Sequence, residues 1–248
     1  MKILLLSLVL LATAAWAQTY SNINESTATD NGAAGALGWG SCVSCAGGGS
    51  NATISSSPFQ TAPSVDGSSR DFDINGAAYT DGLWWYKVGP NDKVTHFQFS
   101  FDLWVASDTA AAQALEFDTF QFVNGQEYMF GTQCSYAAGV WDVWNQKAQK
   151  WVRTASSCTR FQADTRYLLT FLFHRDARGN EHYDSLKIVQ YSGNGRSSSK
   201  TYSWDLSYPS GPTPLGWTDN MGVQFQMDIG ASGAQMQEWV DQVTLTVW

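Results

Sequence analysis

Charge is what this chain of 248 residues has least of: only 15% of it is Asp, Glu, Lys or Arg, and 14 bases stand against 22 acids for a formal net charge of −8. A nucleic-acid partner needs a basic patch to neutralise phosphates. No such cluster of Lys and Arg occurs here, which argues against nucleic acid as a partner. Helical signature is lacking too: a weak candidate around 108–114 aside, no stretch longer than about three turns combines amphipathic spacing with caps. No internal repeat of propeller or solenoid period is visible. Beyond residue 17 no apolar run approaches the roughly 20 residues that a bilayer-spanning helix requires. Histidines are few, and His96, His174 and His182 form no Tyr/His pair with the motif spacing of a lyase.

The one long apolar run stands at the start. Met1-Lys2 is a short basic opening, residues 3–12 are nearly all apolar, and Ala15-Trp16-Ala17 has the small-x-small pattern of a signal-peptidase site. Residues 1–17 are therefore expected to be a signal peptide, with the mature chain starting at Gln18, no membrane span after cleavage, and a secreted or extracytoplasmic location. Export favours oxidised cysteines. Four cysteines permit three pairings. The favoured one joins Cys134 to Cys158 around an apparent hairpin, Gly139 to Arg153, and Cys42 to Cys45 within a glycine-rich loop. No βαβ pattern surrounds that C-x-x-C, so a local staple is the better reading than a redox site.

Aromatics, by contrast, are abundant at 14%, with twelve tryptophans. Residues 31–57, dense in Gly, Ser and Ala, read as a loop or extended arm. The domain plan is thus a signal peptide at 1–17, an irregular Gly/Ser-rich segment at 18–60 and one β-domain at 61–248. Period-two alternation dominates that domain. Phe97, Phe99, Phe101, Leu103 and Val105 alternate with polar neighbours, and Val223, Phe225, Met227 and Ile229 alternate with Gln224, Gln226 and Asp228. Further strands are expected at 83–88, 114–122, 127–133, 140–145, 150–153, 167–174, 185–191 and 200–206. At the end of the chain Val243, Leu245 and Val247 form one face. Many short strands without intervening helices imply an all-β, jelly-roll sandwich of two antiparallel sheets.

Ala114-Leu115-Glu116-Phe117-Asp118-Thr119-Phe120-Gln121-Phe122 is the most telling strand. Alternation puts Glu116 and Asp118 on one face with Phe120 and Phe122, and turns Leu115 and Phe117 the other way. Carboxylates accept hydroxyl hydrogen bonds or perform acid/base chemistry, and flat rings cover the apolar faces of sugars. Gln224, Gln226 and Asp228, with Asp142 and Trp144, would line the same concave sheet face if their strands adjoin. Trp141 or Trp144 would stack on the sugar.

The run Ala114 to Phe120 resembles the metal-site strand of legume-type lectins, a hydrophobic residue and then E-F-D-T with an aromatic, and Trp239 to Leu245 looks like the closing strand of the concanavalin A-like superfamily. The resemblance implies that sandwich fold, and that Glu116 and Asp118 help hold a transition metal and calcium; for this chain the expectation is no cofactor, with a structural calcium as the alternative. Phe122 stands where the lectins have an Asn ligand, Asn124 is displaced by two, and no His follows before His174. The same strand resembles the E-x-D-x-x-E of retaining β-glucanases and cellobiohydrolases. By that likeness Glu116 is the nucleophile, Asp118 its modulator and position 121 the acid/base. Here that position is Gln121, which exchanges no proton, so hydrolysis requires Glu127, Asp228 or Glu238 from another strand. The chain is also similar to exported bacterial proteins carrying E-Y-M-F-G-T-Q-C and a tryptophan hairpin like residues 140–145, which bring no assigned activity.

Three functions follow. The first is a secreted, lectin-like protein binding a polysaccharide or other glycan through Glu116, Asp118, Trp141, Trp144, Gln224, Gln226 and Asp228. The second is a glycoside hydrolase acting on a β-glucan-type polymer with Glu116 as nucleophile. The third is a structural protein of the envelope or matrix, joined to others through exposed aromatics.

Overall fold

A computed structural model describes residues 17–33, 35–43, 45, 49, 51–193, 197–215 and 217–248. Apart from residue 17, the expected signal peptide lies outside the described residues. Seventeen strands are present among those described: β1 (Gln18–Tyr20), β2 (Gly38–Val43), β3 (Ala52–Gln60), β4 (Ser69–Gly76), β5 (Asp81–Gly89), β6 (His96–Val105), β7 (Ala112–Val123), β8 (Gln126–Phe130), β9 (Thr132–Ser135), β10 (Val140–Asn145), β11 (Lys150–Ser157), β12 (Arg166–Arg175), β13 (Asn180–Tyr191), β14 (Ser197–Pro209), β15 (Gly211–Pro212), β16 (Asn220–Ile229) and β17 (Ala234–Val247).

Every pairing between these strands is antiparallel. One sheet runs β14-β13-β12-β6-β17-β4-β3, with β1 beside β17. The other runs β11-β10-β9-β7-β16-β5-β2, with β8 beside β7 and β15 beside β8. The expected jelly-roll sandwich of two antiparallel sheets is what forms. Alternation explains it, because each strand can hide one row of side chains only against a second sheet. Phe97, Phe99, Phe101 and Leu103 of β6, Leu115 and Phe117 of β7, Phe171 and Phe173 of β12, and Val223, Phe225 and Met227 of β16 all turn inward and are buried. Phe225 lies at their centre, with ring centroids 5.0 Å from Phe101 and 5.3 Å from Phe72. Burying each such ring contributes about 1.5–3 kcal/mol.

Both expected disulfides are formed, Cys42–Cys45 at the end of β2 and Cys134–Cys158 between β9 and the segment after β11. Such bonds suit an oxidising compartment. No helix among the described residues is long and apolar enough to cross a membrane.

Two expectations need correcting. The segment 18–60 is not irregular throughout: β1 joins β17, β2 runs along β5, and β3 runs along β4. Of the last two, β2 also bonds residues 28–30 through the Trp39 backbone on its other side, whereas β3 is bonded on one side only and so can carry Thr53, Ser55 and Ser57 towards solvent without an apolar alternation to betray it. The single strand expected at 127–133 is two, β8 and β9, divided at Gly131. A Cβ there would stand 2.8 Å from Cβ of Trp144, so only glycine lets β10 approach this closely.

Candidate functional site

Cross-strand register assembles a site on the outward face of the second sheet. On β7 and β16, Glu116 faces Gln226 and Asp118 faces Gln224. On the next strand, β5, Leu83 faces Gln226, Trp85 faces Gln224 and Asp81 faces Asp228. On the other side Gln133 of β9 faces Glu116, and Asp142 of β10 faces Gln133. A groove of about 710 Å³ lies over this surface. Glu116 and Asp118, only 6% and 4% exposed, form part of its lining and turn away from the inter-sheet core.

Aromatic rings flank the acids. Trp85 lies over Gly40, whose Cβ, if it had one, would be 2.4 Å from the indole. Trp217 packs on Phe122 with centroids 4.9 Å apart. Across the sheet, Trp144 and Trp151 meet edge to face at 5.2 Å.

Hydrogen bonds fix the polarity of the lining. Asp118 accepts from the Thr132 backbone N–H at 2.9 Å and from Gln224 Nε2 at 3.2 Å. Gln226 Nε2 donates to Asp228 at 2.8 Å, Gln133 Nε2 to Asp142 at 3.0 Å, and Gln146 Nε2 to Glu127. Four glutamines thus spend an amide N–H on a neighbouring acid. What the surface offers a ligand is chiefly acceptor oxygen.

Few of these acids are ordinary carboxylates. Burial first, then the nearby Asp228 and Asp118 charges, push Glu116 well above its usual range, and it shares a hydrogen bond with Asp228. Asp228 is pushed up to about 6, by burial and despite the bonds from Glu116 and Gln226. A hydrogen bond between two carboxyls needs a proton on one of them, so the pair titrates as a unit. Burial also raises Asp118 to about 7, against the opposing Thr132 and Gln224 hydrogen bonds, and Glu127 to about 7.

This arrangement does not fit the metal pair that the lectin likeness implied. Both oxygens of Asp118 face N–H donors, and Glu116 is bonded to another acid. Among the described residues no group of three or more His, Cys, Asp or Glu has a metal-holding arrangement.

Of the residues picked from sequence, Glu116, Asp118, Trp144, Gln224, Gln226 and Asp228 share the groove. Trp141 does not. It is fully buried in the core, 6.0 Å from the Phe171 ring, because three residues along a strand reverse the face on which Trp144 sits. Asp142 lies beside the groove lining, bonded to Gln133. Gln121, five residues from Glu116, faces the core and donates to the Asn91 and Val94 carbonyls. Glu238 also points inward, with both carboxyl oxygens unpartnered, and so is no substitute acid for the groove. Asp81, Trp85, Gln133, Gln146, Trp151 and Trp217 belong to the lining and were not anticipated. Only the Trp84-Trp85 pair carried a hint, since one of two adjacent residues in a strand must face outward.

No protein-family model and no curated protein sequence matches the chain. Among solved structures it is similar to arcelin-5, a lectin-like defence protein from Phaseolus vulgaris, at 8% identity and a TM-score of 0.48, over 94% of this chain and 99% of that one. It is also similar to peanut lectin with a 9mer peptide, at 11% identity and a TM-score of 0.41, over 85% and 98%. A third is the family 11 carbohydrate-binding module of a Clostridium thermocellum cellulosomal cellulase, at 14% identity and a TM-score of 0.38, over 85% and 88%. These are likenesses of chain path; the chemistry of the groove rests on its own residues.

Proposed function

We propose that this protein is a secreted, lectin-like carbohydrate-binding protein and that the groove over β7 and β16 holds the glycan. The observation that carries this reading is the pairing of an acceptor-rich lining around Glu116, Asp118, Gln224 and Gln226 with indoles at Trp85, Trp144, Trp151 and Trp217. Sugar hydroxyls supply donors to such an acceptor-rich lining, and their C–H faces suit the rings. The two disulfides agree with export.

Binding is favoured over hydrolysis on geometry. A retaining glycosidase needs two carboxyl groups about 5 to 5.5 Å apart, one ionised as the nucleophile and one protonated as the acid. Glu116 and Asp228 are instead in direct hydrogen bond, position 121 and Glu238 face the core, and Glu127, the remaining candidate acid, is tied to the Gln146 amide.

Titration of the mature protein against a panel of soluble polysaccharides tests the reading. Saturable binding without new reducing ends is expected, weakened at least tenfold (about 1.4 kcal/mol) by Glu116→Gln and by Trp144→Ala. Undiminished binding in both variants would remove the site assignment. Reducing ends that vanish in Glu116→Ala would establish the hydrolase instead. Self-association without any glycan-dependent thermal shift would favour the structural role.

A further inference from the structure

Granted a saccharide in the groove, on which the following rests, the lining selects among saccharides by charge. Five carboxyl groups contribute to it, from Asp81, Glu116, Asp118, Glu127 and Asp228, and among the described lining residues there is no Lys, Arg or His. A uronate or sulfated sugar would bring its anion to these acids, and Lys87, over the Trp217 ring at the rim, is already bound to Asp30. Neutral sugars fit, and a cationic sugar fits better.

One corner makes the distinction. Asp81 on β5 stands opposite Asp228 on β16, which is hydrogen-bonded to Glu116 on β7, so three carboxyls from three adjacent strands converge. Asp81 is only 4% exposed, and its Oδ1 has no hydrogen-bond partner. The groups facing the corner are otherwise Gln226, whose N–H is given to Asp228, Gln133 opposite Glu116, whose N–H is given to Asp142, Asp118 further along β7, and the Tyr79 and Thr80 side chains before β5. None of them is a cation. A buried acceptor left without a donor is unfavourable, and a ligand that brings a charged donor removes the deficit. An ammonium group carries three N–H donors and no acceptor, which matches an unpartnered Asp81 oxygen beside the Asp228–Glu116 pair.

We infer that the Asp81–Asp228–Glu116 corner receives the protonated amine of an amino sugar, and that the preferred ligand is a glycan with free amino groups. The ammonium takes the electrostatic place of the proton held between Glu116 and Asp228. That proton leaves to solvent as the amine enters, so the charge of the corner stays balanced.

Calorimetry at pH 6 with three β-1,4-linked trisaccharides tests this, using the trimers of glucosamine, N-acetylglucosamine and glucose. The glucosamine trimer is expected to bind at least tenfold more tightly than the other two. Its binding heat should vary with the ionisation enthalpy of the buffer, reporting proton release. In Asp81→Asn its affinity should fall to that of the N-acetylated trimer. Equal affinities, or a preference for either neutral trimer, would overturn the amine assignment and leave the saccharide reading standing. A corner that takes Ca²⁺ alone, with stabilisation reversed by EDTA and no amine preference, would overturn it in favour of a metal. Absence of binding by all three trimers and by the polysaccharide panel would overturn both readings.

Discussion

The two outward faces of the sandwich grow from the same alternating pattern and treat their acids in opposite ways. On the face of the first sheet, three acids sit beside bases, while Asp71 and Asp73 take the Gln237 amide. Asp102 is clasped by Arg166 at 2.7 Å, Asp184 meets His174 at 2.9 Å, and Asp176 meets His182 at 3.2 Å. All three histidines stack there in one row across β6, β12 and β13, continued by Trp248, with centroids 5.4, 5.3 and 4.2 Å apart. The groove face sinks its acids beneath its surface and gives them amides and each other as partners. Alternation decides which side a residue faces. Whether its charge is balanced within the protein decides what it can still bind, and imbalance in a cleft marks a candidate site.

The largest effect expected from this difference is in stability against pH. A carboxyl whose folded-state pKa is raised keeps its proton in the native state when the unfolded chain has released it. Its stabilising contribution is therefore complete below the unfolded value near 4 and is lost as pH rises through the folded value. Asp228 lies at about 6, Asp118 and Glu127 at about 7, and the core acid Glu238 at about 8, all through burial. Each unit is about 1.4 kcal/mol. The displacement of Asp118 alone then amounts to on the order of 4 kcal/mol. Thermal midpoints should fall steadily between about pH 5 and pH 8, and Asp118→Asn combined with Asp228→Asn should flatten that slope and raise the midpoint at pH 8. Asp176, held low chiefly by the Asn180 backbone N–H, has the opposite sign and loses its contribution only as pH falls through its lowered range. A midpoint that rose from pH 5 to 8 would erase the contrast between the faces.

A second effect should come from unbalancing the other face deliberately. Arg166→Ala leaves Asp102, whose side chain is 3% exposed, without the guanidinium that gives it two hydrogen bonds. Removing one partner of a mostly buried pair strands the other charge, and about 3 kcal/mol should be lost at pH 7 in denaturant unfolding. A double change to Asp102→Asn with Arg166→Ala should recover part of that loss, because the stranded charge is gone.

Much of this was legible in the chain wherever alternation was unbroken. Glu116, Asp118 and Phe122 share a face because each is two or four residues from the next, and Gln224, Gln226 and Asp228 do likewise. The same parity separates Trp141, in the core, from Trp144, in the groove lining. Glu238 was hidden by an irregularity. Counted back from Val243, it should face outward, but β17 shifts register between Asp241 and Thr244, with Gln242 in the left-handed region at φ 51°, and this restores Glu238 to the inward row of Met236 and Val240. Adjacency was beyond reading for another reason. Asp118 and Gln224 are 106 residues apart, and no local preference states that β7 lies beside β16 or that β5 brings Asp81 and Trp85 to the same surface.

The smallest effect tests whether the histidine row is only a solvated surface. Asp184 is 38% exposed at its side chain and meets His174 directly at the solvated surface, so Asp184→Asn should change unfolding free energy by less than about 1 kcal/mol. The change should also shrink in high salt, since screening acts on exposed pairs before buried ones. Glycan affinity should stay as it was, because Asp184 belongs to the first sheet and the groove to the second. If Asp184→Asn weakened polysaccharide binding as much as Glu116→Gln does, a balanced charge would have proved no less functional than an unbalanced one, and the groove could no longer be singled out by its unpaired acids.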